Sequence, residues 1–269
     1  MKTNNSSKVK VSNLFAAMTM IICLVIGYGL WEYVMGDASN FTDGNIESGA
    51  PLNVLGMMYH GGIVVPVLMG LLLMTSVFAI ERFFVLNKSE GKGNLSKFVQ
   101  NVQRKIVEGQ IAEAKEMCDK QKGSVANVIR SALVKYDEVV AEGFDSEKAA
   151  ELIGAEIEEA TSLEMPSLEK NMVILSTMVS LGTLVGLFGT VTGMIKAFQG
   201  LATAGAPDQV KLAAGISEAL VNTATGIATS ILATIAYNFF TSKIDTLTYF
   251  IDEAGSVISN SYRKFKGQK

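Results

Sequence analysis

The chain has 269 residues, 49% hydrophobic and 18% charged, with a mean hydropathy of +0.31. That is too little polar material to cover a soluble globule of this length, and a net charge of -3 supplies no overall cationic field for nucleic acid. Four prolines, 25 glycines and two cysteines, Cys23 in an apolar run and Cys118 in a charged one, argue against disorder, collagen-like repeats and a disulfide framework, which leaves a membrane protein.

A helix rising about 1.5 Å per residue needs about 20 apolar residues to cross the hydrocarbon of a bilayer, and four runs reach that scale. Residues 1–35 are read as a stub bearing Lys2, Lys8 and Lys10, followed by an anchor helix whose run 14–31 has no charge. A secretory signal peptide has the same two parts, but no small-residue cleavage site follows, and Trp31 and Tyr33 stand where an aromatic belt holds a retained helix. Retention is the expectation and cleavage the alternative. Residues 36–60 form a loop with Asp37, Asp43 and Glu47 and no lysine or arginine, and 61–80 is an uncharged second span preceded by His60.

Residues 81–171 read as a helical domain: Phe98, Val102 and Ile106, then Ala114, Met117 and Cys118, then Val125, Val128, Ile129, Ala132, Leu133 and Tyr136 recur at helical spacing, with breaks at Gly109 and Gly123. An acidic amphipathic stretch runs from Asp145 towards the third span, interrupted by Pro166; no His or Cys accompanies its carboxylates, so it reads as a solvated helix and not as a metal site. The third span is 172–200, the fourth 212–240, and between them lies a short loop, 201–211, with Lys211. Basic residues resist translocation. They number three in 1–13, none in 36–60, thirteen in 81–171, one in 201–211 and five in the tail 241–269, which places both termini and the large domain in the cytoplasm. The fold class expected is an all-α integral membrane protein whose long transmembrane helices extend into a helical cytoplasmic domain.

The last two spans are not ordinary anchors. On the third, Ser176, Ser180, Thr183 and Thr190 share one stripe, and Gly182, Gly186, Gly189 and Gly193 another, at about 100° per residue. The glycine face is expected to pack closely on a neighbouring backbone and the polar stripe to face protein or water. On the fourth, Glu218, Asn222, Thr225 and Thr229 share a face, and Thr223, Ser230 and Thr234 form a second strip about 140° away. Two polar faces on one span suit an oligomer around a lumen or a tightly packed bundle. A charged carboxylate at depth costs about 2.5 to 3.5 kcal/mol on insertion scales, so Glu218 is read as an ion-path residue, with an interfacial or packing role as the alternative. Lys196 is read as snorkelling and His60 as incidental.

The strings Gly186-Leu-Phe-Gly-Thr-Val-Thr-Gly-Met194, Ile216-Ser-Glu-Ala-Leu-Val-Asn-Thr-Ala-Thr-Gly-Ile227 and Tyr237-Asn238 resemble the MotA/TolQ/ExbB proton-channel family, and within it the ExbB/TolQ branch. The resemblance extends from about Ile63 to Phe240 and includes Glu81-Arg82; the first 60 residues lie outside it. It implies an inner-membrane homo-oligomer, a pentamer, set in lipid around the single spans of two copies of an ExbD-like or TolR-like partner, which supplies the titrating aspartate. The ring would energise a TonB-like protein for outer-membrane transport, or a TolA-like protein for envelope maintenance, and it implies no cofactor. Residue by residue, Thr190 matches the family's pore threonine, Glu218 the motif glutamate and Thr223 the threonine five positions on; these form the implied ion path, with Ser176, Ser180, Thr183, Asn222 and Thr225 as a pore-lining polar stripe. This chain departs from the family where Thr183 replaces a common proline, where Thr192 replaces a tryptophan found in many members, and at Lys196.

Three rival readings are a MotA-like motility stator, a secondary transporter and a scaffold without ion flux. The two-plus-two layout of spans is reminiscent of MotA, but flagellar members usually lack the acid at Glu218. A transporter would show internal repeats and broken helices, whereas the two halves share no motif and Pro66 is the only proline within a span. No G-x-S-x-G, H-E-x-x-H or phosphate-cradling Gly-Lys-Ser/Thr string is present, so an enzyme is not expected.

Overall fold

A computed structural model of the chain describes residues 3–46, 49–202 and 208–267, with side chains described between 16 and 262 except at Leu201 and the gaps. Lys2, Glu47 and Lys269 lie outside the described residues, and the side chains of Lys8 and Lys10 are not described. Nine α-helices follow one another among the described residues: α1 (Thr3–Gly29), α2 (Val54–Tyr59), α3 (Val64–Glu90), α4 (Leu95–Val107), α5 (Ile111–Gln121), α6 (Ser124–Glu142), α7 (Ser146–Leu168), α8 (Met172–Ala202) and α9 (Gln209–Gly267). No strand is present among these residues beyond one isolated bridge, Phe41 to Pro51. The chain is an all-α membrane protein, since α1 with its extension, α3, α8 and α9 are each long and apolar enough to span a bilayer.

Two units form, one from 1–80 and 171–237, the other from 81–170 and 238–269. In the first, α1 loosens into a π-helical turn at Leu30–Met35, and the segment up to Gly62 folds back over aromatic rings. Trp31 stacks on Tyr59 at 4.8 Å and donates its indole N–H to the Tyr59 carbonyl at 3.3 Å. Phe41 stacks on His60 at 5.1 Å, and buried Asn40 donates to the carbonyls of Val34 and Met35. Rings pack this turn and the amide answers its carbonyls. α3 carries Pro66 in its first turn, where a missing N–H breaks no helical bond. It crosses α1 closely: a Cβ on Gly27 would stand 2.7 Å from the Gly70 nitrogen. Leu68, Leu71 and Phe78 of α3 and Leu175 of α8 are buried here, while Ile21 and Val25 of α1, Leu187 and Val191 of α8, and Leu220 and Ile231 of α9 are exposed. So much open apolar surface suits lipid or further copies of the chain and not water.

In the second unit the apolar positions read at helical spacing in α4 to α6 are buried, except Met117, which is half-buried, and the junctions α4/α5 and α5/α6 fall at Gly109 and Gly123. Asn94 and Asp145 cap α4 and α7, accepting from the Lys97 and Lys148 amides at 3.0 and 2.7 Å. Pro166 does not interrupt α7, which runs on to Leu168; the chain turns at Asn171, at a φ of 60°. The last carbonyls of α7 are met by Arg82, whose buried guanidinium grips Glu81 through two bonds of 2.6 Å and reaches the Leu168 and Ser167 oxygens at 3.3 and 3.4 Å. A cation at that end answers both the orphan carbonyls and the helix dipole. Residues 241–267, read from the sequence as a tail, are instead the continuation of α9. Ile244, Leu247, Ile251, Ala254, Ile258 and Tyr262 form a buried stripe along it, and the Tyr262 hydroxyl lies 3.3 Å from the Val139 carbonyl.

Candidate ion-path seam between α8 and α9

The two helices run antiparallel, Gly182 meeting Ser230 and Gly193 meeting Gly215, and they approach closely because their facing positions are small. A Cβ on Gly182 would meet the Ser230 hydroxyl at 2.6 Å, one on Gly186 the Gly226 Cα at 3.1 Å, one on Gly189 the Asn222 Cγ at 2.6 Å and one on Gly193 the Ala219 nitrogen at 2.8 Å. The reciprocal small residues are Gly215, Ala219 and Gly226 on α9; a Cβ on Gly215 would lie 2.6 Å from the Ala197 nitrogen. At Gly186, Gly193, Gly215 and Gly226 backbone meets backbone, so hydroxyls beside the glycine stripe come within bonding distance across the seam.

Two such pairs form. Thr183 and Ser230 share a hydrogen bond of 2.8 Å, and Thr190 and Thr223 are hydrogen-bonded to each other. Seven residues separate the rungs on each helix, from 183 to 190 and from 223 to 230, which is about 10 Å along the axis. Thr190 also lies 3.2 Å from the Gly186 carbonyl, and Thr223 3.0 Å from the Ala219 carbonyl. Each hydroxyl has one proton and can accept, so two arrangements satisfy the pair. In one, Thr190 donates to Thr223 and Thr223 to Ala219; in the other, Thr223 donates to Thr190 and Thr190 to Gly186. Both threonines are half-buried, and beside Thr190 opens a groove of about 560 Å³, lined by Val191, Met194, Ile195, Phe198 and Gln199.

The remaining sequence-derived positions divide. Ser180 and Thr183 lie on the open side of α8, and Ser176 is half-buried, donating to the Val173 carbonyl at 3.0 Å. Asn222 and Thr225, read as pore-lining, are instead enclosed within the protomer: Asn222 is 0% exposed and donates to the Gly61 carbonyl at 2.9 Å, and Thr225 bonds back to the Val221 carbonyl. A residue closed off by its own chain cannot line a passage between copies, and the close approach at Gly189 is what closes it. Glu218 is also buried, with its Oε1 2.6 Å from the Lys196 ammonium, so Lys196 is a partner and not merely a snorkelling cation. His60 belongs to the aromatic fold-back, its Nε2 3.3 Å from the Ile46 carbonyl. Among the described residues, no cluster of three or more His, Cys, Asp or Glu side chains could hold a metal.

Sequence reasoning missed the Lys196 to Glu218 pair and the small residues of α9. Gly215, Ala219 and Gly226 recur at spacings of four and seven, the same signal that marked α8, but it was masked by the polar residues between them.

Fold and seam together define a multi-pass helical membrane protein with hydroxyl rungs between two closely packed spans. The model of the MotA/TolQ/ExbB proton channel family matches residues 120–253. The biopolymer transport protein ExbB of Salmonella typhimurium is 30% identical over 208 residues, 75% of this chain and 82% of that protein. A putative biopolymer transport protein, ExbB-like 3 of Synechocystis, is 28% identical over 211 residues, 77% of this chain and 94% of its own. The Tol-Pal system protein TolQ of Pseudomonas aeruginosa is 39% identical over 105 residues, 39% of this chain, and the match spans about half of that relative, 46%. This chain belongs to the MotA/TolQ/ExbB proton channel family.

Proposed function

We propose that the chain is the ring-forming subunit of an ion-driven machine in a bacterial inner membrane, ExbB-like in role, with both termini and the 81–170 helices in the cytoplasm. Copies of it, five in the ring that the family resemblance implies, would enclose the single span of an ExbD-like or TolR-like partner, and passage of protons would do work on a TonB-like protein. The observation that carries this reading is the Thr190 and Thr223 rung: two half-buried hydroxyls with two interchangeable hydrogen-bond arrangements, Thr190 opening on a mainly apolar groove. Such a pair hands on a proton without storing charge in the membrane, where a fixed charge is costly. A proton crossing 100 mV releases about 2.3 kcal/mol, enough for useful work when several cross. TolQ relatives support a second reading, a TolA-like partner in place of the TonB-like one, because the matched stretch is 39% identical to one of them.

The test is proton flux in vesicles holding the chain with its single-span partner, driven by a potassium diffusion potential. Val is close to Thr in shape but has no hydroxyl, so Thr190→Val and Thr223→Val should each cut flux about tenfold or more while the complex still co-purifies. Undiminished flux in the double variant would remove the rung from the path.

A further inference from the structure

Glu218 and Asn222 lie one turn apart on α9 and both grip the corner that leads into α3. Asn222 donates to the Gly61 carbonyl at 2.9 Å. The Glu218 carboxylate lies against Gly62, where a Cβ would stand 2.5 Å from Oε1, and Gly62 has a φ of 75°, which only glycine adopts freely. Lys196 of α8 holds the same Oε1 at 2.6 Å. The corner is the end of the folded residues 30–46 and 49–62, tied together by the Trp31 to Tyr59 and Phe41 to His60 stacks and by Asn53, which donates to Asn40 at 2.8 Å.

We propose that Lys196 makes Glu218 a fixed strut: the ion pair latches these folded residues to α8 and α9, and Glu218 does not exchange the ion that passes Thr190 and Thr223. The part concerning flux rests on the proposed function; the latch does not. A carboxylate that loads and releases an ion has to turn between partners. Here the Lys196 ammonium holds Oε1 and the Gly62 backbone abuts the same oxygen, so turning would break the ion pair. Lys196 is thus a positioning residue, and its removal has a distinctive signature. Glu218 is the buried member, its side chain 9% exposed against 54% for Lys196, so taking the lysine away strands the carboxylate, whereas neutralising both removes that cost.

The full-length chain in nanodiscs is compared with Lys196→Met, Lys196→Arg, Glu218→Gln and the Lys196→Met/Glu218→Gln double variant, by backbone hydrogen exchange over residues 52–62. Lys196→Met should speed exchange about tenfold, Lys196→Arg should return it to within about threefold of the parent, and the double variant, which strands no charge but carries no ion pair, should fall between the parent and Lys196→Met. Equal exchange in the parent and Lys196→Met, or no recovery in Lys196→Arg, would overturn the latch. In the vesicle assay, the double variant should keep most of the parent's flux; its abolition would show Glu218 to be a carrier. If the parent itself conducts nothing, the ion-path reading fails while the exchange experiment still decides the latch.

Discussion

Burial pushes the Cys118 thiol up to about 12, with the charge of Asp119 adding to the effect of desolvation. Its folded value lies above the ordinary 9.0, so its contribution to stability is complete below about pH 9 and is lost as the pH rises through 12. The thiolate is the nucleophile, and at pH 8 it is nearly absent. In a Cys23→Ser background, Cys118 should therefore resist iodoacetamide at pH 8 in the folded chain and react fully in denaturant; quick labelling without denaturant would show that α5 opens readily. Arg82 is a second residue whose neighbours dictate its effect. Arg82→Met would remove both bonds to Glu81 and leave the Leu168 and Ser167 carbonyls without their guanidinium, and should destabilise the chain by about 3 kcal/mol, read as a lowered thermal midpoint in detergent. Lysine at 82 should not rescue it, since one ammonium cannot bond both carboxylate oxygens while also reaching two carbonyls.

At the scale of elements, the α8 to α9 seam has no room for added atoms. A Cβ on Gly226 would stand 2.5 Å from the Gly182 oxygen and 2.8 Å from the Gly186 Cα, both backbone atoms that cannot swing away. Gly226→Val should therefore force the helices apart, break both hydroxyl rungs and abolish recovery of the folded chain in detergent. Gly154 in α7 is the contrasting case: nothing lies within 4 Å of an added Cβ, so Gly154→Ala should stabilise by up to about 1 kcal/mol through helix propensity alone. The glycine stripe of α8 was legible because spacing on one helix decides which residues share a face. The fate of Asn222, Thr225 and Glu218 was not, because a polar face can meet water, a second copy or the same chain, and periodicity is the same in all three. Only the position of Gly61, Gly62 and Lys196, far away in sequence, settles that α9 turns this face inward.

For the whole molecule, hydropathy found the four spans readily, since a bilayer crossing needs an uninterrupted apolar run. It ended the fourth span near 240, where charge reappears, and so missed that α9 continues in a different role. Its apolar stripe narrows there from a lipid-facing surface to one buried face, formed by Phe240, Ile244, Leu247, Ile251, Ala254, Ile258 and Tyr262. Spacings of three and four are the mark of a packed amphipathic helix, and they were present in a segment whose charge suggested a tail. The consequence is that the helices of 81–170 do not complete their own core. Ending the chain after Phe240 should leave the Tyr136 edge contact with Tyr262 and the buried faces of α6 and α7 uncovered, so that protease cleaves within 95–168 while the spans remain protected by the membrane. Ending it after Tyr262 retains every buried residue of that stripe and should leave the digestion pattern of the full chain unchanged. Equal resistance of both truncations would mean that α4 to α7 hold together unaided, and that the long helix joins the two units without stabilising the second.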